Sequence, residues 1–176
     1  MTTRHQGDMM LYTTHPSPLG ELLLSGPEPG TLASVSMPEQ KGGATVGGHW
    51  RRDDTAFGAA VDQFDAYFAG DLKEFDLRFA TGGSPFREAV WAALDEIPYG
   101  STVTYGRLAA MAGLDPRAVR AVGGAVGANP LAVVHPCHRV VGANGSLTGY
   151  AGGLDRKRRL LSLEGALDSA GTLLAR

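Results

Sequence analysis

His135, Cys137, His138 and Arg139 stand close together in the run VVHPCHRVV, residues 133–141, and Cys137 is the only cysteine in the chain. A cysteine that does chemistry must reach its thiolate, and its free pKa near about 8.5 falls when a histidinium, an arginine or a helix N-terminus lies beside it. His138 and Arg139 are its direct neighbours. In extended chain they would point to opposite sides, so Pro136 matters: it holds the backbone where a turn could bring the thiol and imidazole together. The competing reading is a small core residue, the commonest fate of a lone cysteine. One thiol excludes an internal disulfide and any four-Cys or Cys2His2 zinc framework. Cys137 is therefore either inert packing or a nucleophile.

The elements that must position this run can be read from periodicity. Residues 9–36 alternate short apolar segments with Pro/Gly punctuation, which predicts short antiparallel strands. The glycine-rich stretch that follows, including 38–48, reads as a surface loop with no derivable role. A helix capped by Asp53 or Asp54 and closed by Gly70 would bury Phe57, Ala60, Val61, Phe64, Tyr67 and Phe68 as core. A strand over 74–79 then leads into the linker ATGGSP.

Ser84 and Pro85 are an N-cap and first helical residue for a helix that stops before Pro98. TYGRLAAMAG and RAVRAVGGAVGAN predict two short helices joined by a tight turn, as in a helix-turn-helix. Gly123 and Gly124 each weaken such a helix by about 1 kcal/mol relative to Ala. Their benefit is close approach, by a neighbouring helix or by a nucleic-acid backbone. Arg120 among these small residues must reach solvent, a carboxylate or a ligand. Leu131–Val134 reads as a buried strand, and Arg139–Val141 with Ser146–Thr148 as a hairpin around Asn144-Gly145. A final amphipathic helix would bury Leu154, Leu160, Leu161 and Leu163. It carries Arg156 to Arg159 near its start, where cations oppose the helix dipole, so solvation or phosphate contact is expected to hold them.

Length and charge narrow the class. At 176 residues, 43% of them hydrophobic, the chain can bury a core without disulfides, and no apolar run approaches the roughly 20 residues of a membrane helix. No secretory signal is evident at the start, so a cytoplasmic location is expected. The formal charge of -2 divides unevenly: residues 1–81 carry 6 Lys+Arg against 11 Asp+Glu, and residues 82–176 carry 10 against 7. The second half is the one suited to face phosphate.

PCHRV at 136–140 is the signature of the O6-alkylguanine-DNA alkyltransferases, which repair alkylated bases by transferring the alkyl group to their own cysteine. The chain resembles that family further in FDAYFAG, IPYGSTVTYGRLAAMAG, AVRAVGGAVGANP and VVGANGSLTGYAGGLDRKRRLLSLEG, in the same order. The resemblance implies an α/β fold: a ribonuclease H-like domain with a small antiparallel sheet over 1–80, a linker at 81–84, and a winged-helix (helix-turn-helix) domain over 85–176. It implies that Cys137 accepts the alkyl group, that His138 is its base through water, that Glu164 orients the histidine, and that Asn129 braces the turn. By the same resemblance Tyr105 contacts the flipped base and the rotated phosphate, and Arg120 fills the base stack. Ala121, Gly123 and Gly124 lie in the minor groove, and the backbone around Val140, Tyr150 and Ala151 lines the guanine pocket. The implied partner is double-stranded DNA carrying O6-alkylguanine, bound by a monomer without cofactor or metal, each molecule reacting once.

Two positions depart from the family pattern. His135 replaces an aliphatic residue, either as a tolerated substitution or as a second titrating group near Cys137. GYAGG replaces GYSGG, where a backbone amide makes the contact. Rival readings of the same residues are a Cys-His-Glu hydrolase, which also needs an oxyanion hole, a non-enzymatic lesion binder, which has no need of a thiol, and a winged-helix regulator. The last would want Asn, Gln and Arg on its second helix for major-groove reading.

Overall fold

The computed structural model describes residues 9–174; the charged start of the chain, read above as carrying no secretory signal, lies largely outside them. Strands β1 (Leu11–His15), β2 (Leu22–Gly26), β3 (Thr31–Leu32), β4 (Ser34–Ser36) and β5 (Arg51–Arg52) precede the helix α1 (Gly58–Phe68). A four-stranded sheet runs β4-β2-β1-β5, antiparallel except that β5 lies parallel to β1. Leu11, Leu22, Leu24 and Val35 point from it onto Phe64 and Tyr67 of α1 and Phe57 at its N-cap, forming the first core.

Two expectations for this half are corrected. Phe57, not an aspartate, occupies the N-cap of α1, without a side-chain cap. Asp53 Oδ1 is taken by the amide and hydroxyl of Thr55, and Asp54 by Thr13 and Arg52. The strand expected over 74–79 shrinks to β6 (Arg78–Phe79), parallel to β3, because the Gln63 side chain takes both backbone groups of Asp76.

The second half opens as read. Helix α2 (Pro85–Leu94) is capped by Ser84, whose Oγ accepts from the Arg87 amide at 3.2 Å. After β7 (Val103–Thr104) come α3 (Tyr105–Met111), a 3-10 turn at Pro116–Ala118 and α4 (Val119–Gly127). These two helices pack with α2 in the second core, where the Trp91 indole donates to Ala125 O at 2.8 Å. Helix α5 (Leu154–Leu163) closes the chain and buries Leu160 and Leu161, while Leu154 stays exposed.

The wing differs from the expected hairpin. β8 (Val140–Val141) pairs in parallel with β7, not with Ser146–Thr148, and only the Gly142 amide reaches Ser146 O across the Asn144-Gly145 turn. Leu131–Val134 forms no strand either: Leu131 bridges to Val35, and the chain turns at Val133, whose φ of 72° is unusual for a β-branched residue. That bridge, with the Val35 amide on Pro130 O, carries Leu131, Ala132 and Val133 into the first core, where Leu160 joins them. The two halves interlock behind Cys137.

Candidate active site

Pro136 opens a single 3-10 turn, Cys137–Arg139, in which the Cys137 amide donates to His135 O at 2.7 Å and the Arg139 amide to Pro136 O at 3.0 Å. All three side chains are buried. Asn129, at the end of α4, holds the approach to this turn: Nδ2 donates to His135 O at 2.9 Å, and Oδ1 accepts from the Leu131 amide at 3.0 Å.

Glu164, the C-cap of α5, meets this turn from behind. Its Oε2 accepts from the Tyr67 hydroxyl at 2.5 Å, from His138 Nε2 at 2.7 Å and from Arg139 Nη2 at 2.9 Å; Oε1 accepts from Arg139 Nε at 2.7 Å. Burial pushes the Glu164 pKa up, but the bonds and charges of His138 and Arg139 outweigh it and hold it at about 2. The carboxylate is thus ionised and fixes the His138 tautomer, with the proton on Nε2 and a lone pair on Nδ1. Nδ1 has no partner among the described residues. Burial keeps the ring neutral by lowering its pKa against the pull of Glu164. A neutral imidazole with a bare nitrogen, one residue from a thiol, has the form that a general base requires.

The thiol itself does not behave as the sequence predicted. Burial raises the Cys137 pKa, and the nearby Lys157 charge only partly offsets this. Arg139 cannot help, because its guanidinium is spent on Glu164 and on Ile97 O, at 2.7 Å. The resting group is a protonated thiol that needs a base to react. His135, the other histidine in the run, faces away from this chemistry: its Nδ1 lies 2.6 Å from Asp95 Oδ1 and its ring edge meets Phe79.

Sequence reasoning missed two contributors. Lys157 is fully buried, and its ammonium donates to Val140 O at 2.6 Å and Thr148 O at 2.9 Å, so it needs neither the solvent nor the phosphate expected for this cluster. Arg156 likewise bonds Leu19 O and Pro38 O, and Arg159 bonds Pro18 O. A lysine four residues into a basic helix start carries no local mark of burial. Tyr67 was read only as core; its spacing is that of a helical stripe and says nothing of a hydroxyl partner.

Cys137 lines an open cavity of about 750 Å³ with Tyr105, Gly149, Tyr150 and Ala151. Val140, expected in that wall, is instead fully buried behind it, its amide on Cys137 O and its carbonyl on Lys157. Gly123 and Gly124 of α4 reach the same cavity. A Cβ added at Gly123 would come only to 3.9 Å from the Tyr105 ring, and one at Gly124 would meet nothing within 4 Å. Packing within the chain therefore does not require these glycines. Arg120 and Ala121 are exposed on the same helix.

Two family models match the chain: the ribonuclease-like domain of 6-O-methylguanine DNA methyltransferase over residues 10–81, and its DNA binding domain over 85–166. The methylated-DNA–protein-cysteine methyltransferase of Methanosarcina acetivorans is 50% identical over 157 residues, 89% of this chain and 99% of that protein. The chain belongs to this methyltransferase family. Among solved members, the Mycobacterium tuberculosis OGT in complex with DNA is 50% identical, with a TM-score of 0.83 over 88% of this chain and 92% of that one. The M. tuberculosis O6-methylguanine methyltransferase gives 49% and 0.80 over 89% and 93%. The α/β architecture, ribonuclease-like before DNA-binding, is the methyltransferase one, with a parallel β7–β8 pair where a hairpin wing was expected.

Proposed function

We propose that this methyltransferase reverses O6-alkylguanine damage in double-stranded DNA by moving the alkyl group to Cys137. The observation that carries the reading is the join at Cys137: its thiol faces an open cavity, while the adjacent His138 presents an unpartnered Nδ1 and is held through Nε2 by an ionised Glu164.

The chemistry follows from these atoms. His138 Nδ1 takes the thiol proton, directly or through one water, and Glu164 stabilises the imidazolium that forms. Sγ attacks the alkyl carbon; the S–C bond forms, the C–O6 bond breaks, and guanine leaves with the electron pair and takes up a proton. Lys157 supports the developing thiolate from beneath, and Asn129 holds the turn. The thioether has no good leaving group, so each molecule reacts once. The same chemistry would accept an O4-alkylthymine.

An alkylated pairing edge is inaccessible inside a duplex, so the base must be extruded, at a cost of a few kcal/mol that is lower for a lesion that already pairs badly. Tyr105, Tyr150 and Ala151 receive it. The uncrowded face of Ala121, Gly123 and Gly124 admits the DNA backbone at the minor groove, and exposed Arg120 takes the place of the extruded base. We assign the ribonuclease-like domain to residues 1–80 and the DNA-binding domain to 85–176, acting as a monomer in the cytoplasm.

The test is intact-protein mass spectrometry after mixing with excess duplex carrying one O6-methylguanine, alongside Cys137→Ala. One methyl per chain, mapped to Cys137 and absent from the variant, is the expected result. Tight lesion binding without any mass gain would replace the transferase with a damage-recognition protein.

A further inference from the structure

The glycine-rich segment between β4 and β5 is sewn to the wall of the reactive cavity. Met37 packs against Gly152, where a Cβ would come within 2.5 Å of Met37 Cε. Pro38 O accepts from Arg156 Nη1 at 2.7 Å, and the Lys41 amide donates to Ala151 O at 2.9 Å. Positive φ at Glu39 (60°) and Gly42 (73°) turns the chain back on itself, so that Lys41 and Gly42, and not Glu39, line the cavity with Cys137 and Tyr105. Lys41 is exposed, and its ammonium has no carboxylate partner among the described residues.

A cation in this place runs against its surroundings. The first 81 residues carry 11 acidic against 6 basic side chains, a balance that repels nucleic acid. Lys41 is the cation that this half contributes to the cavity, and Arg87 is the one that α2 contributes. A nucleotide whose base enters the cavity keeps its phosphates outside, since an ionised phosphate is too costly to bury unpaired. The mouth is then where a partnerless ammonium on a docked backbone meets an anion.

We propose that Lys41 binds a phosphate flanking the extruded nucleotide, which makes the N-terminal half part of the DNA-binding surface. This rests on the repair reading above. The experiment is the equilibrium affinity for a duplex carrying one O6-methylguanine, measured with the Cys137→Ala background from about 50 to 200 mM salt, for Lys41, Lys41→Ala and Lys41→Arg. Lys41→Ala is expected to bind about 3- to 10-fold more weakly at low salt, with a log-log salt slope shallower by about 0.9, the share of one phosphate contact. Lys41→Arg restores both. An unchanged slope overturns the proposal, even if affinity falls, because a wall residue that touches no phosphate releases no counterion. Thermal melts matching the parent protein exclude a folding defect as the cause. Failure of the repair reading is seen separately, as absence of methyl transfer to Cys137 in the unsubstituted protein, which the salt slope does not report.

Discussion

The Tyr67 hydroxyl and His138 Nε2 share one oxygen of Glu164, at 2.5 and 2.7 Å. A helix of the ribonuclease-like half therefore buttresses the carboxylate that holds His138 of the DNA-binding half. Arg139 completes the arrangement, with Tyr99 stacked beside its guanidinium at 5.7 Å. Burial and the Glu164 charge both drive the Tyr67 pKa up, so it remains a donor at any working pH.

Tyr67→Phe removes that donor and keeps the ring packing. A hydrogen bond to a charged acceptor contributes about 1.5–3 kcal/mol, and that range is the expected loss in urea unfolding. His138 and Arg139 still hold Glu164, so the single-turnover methyl-transfer rate is expected to fall by no more than about tenfold, or 1.36 kcal/mol of barrier. Wild-type stability in the variant would mean that the short contact contributes nothing.

Glu164 sets an acid limit. Its folded pKa of about 2 lies below the ordinary 4.5, so as pH falls the unfolded chain takes up the proton first. The stability that Glu164 contributes is complete above about pH 4.5 and is lost as pH falls through about 2. Glu164→Gln leaves Arg139 buried without its counter-charge, which costs about 3–5 kcal/mol near neutral pH. The gap between the two proteins in denaturant titrations should close between pH 4.5 and 2; a gap that stays constant there contradicts the assignment.

Lys157 shows the same sign of linkage at the alkaline end. Burial lowers its pKa to about 8 from 10.5, so between these values the unfolded chain binds the proton that the folded one has shed. Wild-type stability relative to Lys157→Met should accordingly rise as pH climbs from about 8 to 10.5. Near neutral pH, where Lys157 is still charged, loss of that charge should also slow alkylation of the Cys137 thiol, followed by intact mass. An alkylation rate identical in both proteins would remove Lys157 from the support of the nucleophile.

What the sequence determined by itself was local. Ser84 and Pro85 start α2, Pro136 turns the chain at Cys137, and small residues leave one face of α4 bare, because caps, fixed φ and missing side chains act within a few residues. The family motifs pointed to Cys137, His138, Glu164 and Asn129 as one site; the tertiary structure sets His138 on Glu164 and Asn129 on the His135 carbonyl just before Cys137. Tertiary structure alone decided how that site is charged and walled. Arg139 turns from the thiol to Glu164, Lys157 reaches Val140, Tyr67 reaches across to Glu164, and the Lys41 amide closes on Ala151. β8 chose β7 over a hairpin for the same reason. Each of these partners is distant in sequence, and burial, which sets both the thiol's protonation and the worth of every charge around it, is a property of the whole packed chain that no short window of residues encodes.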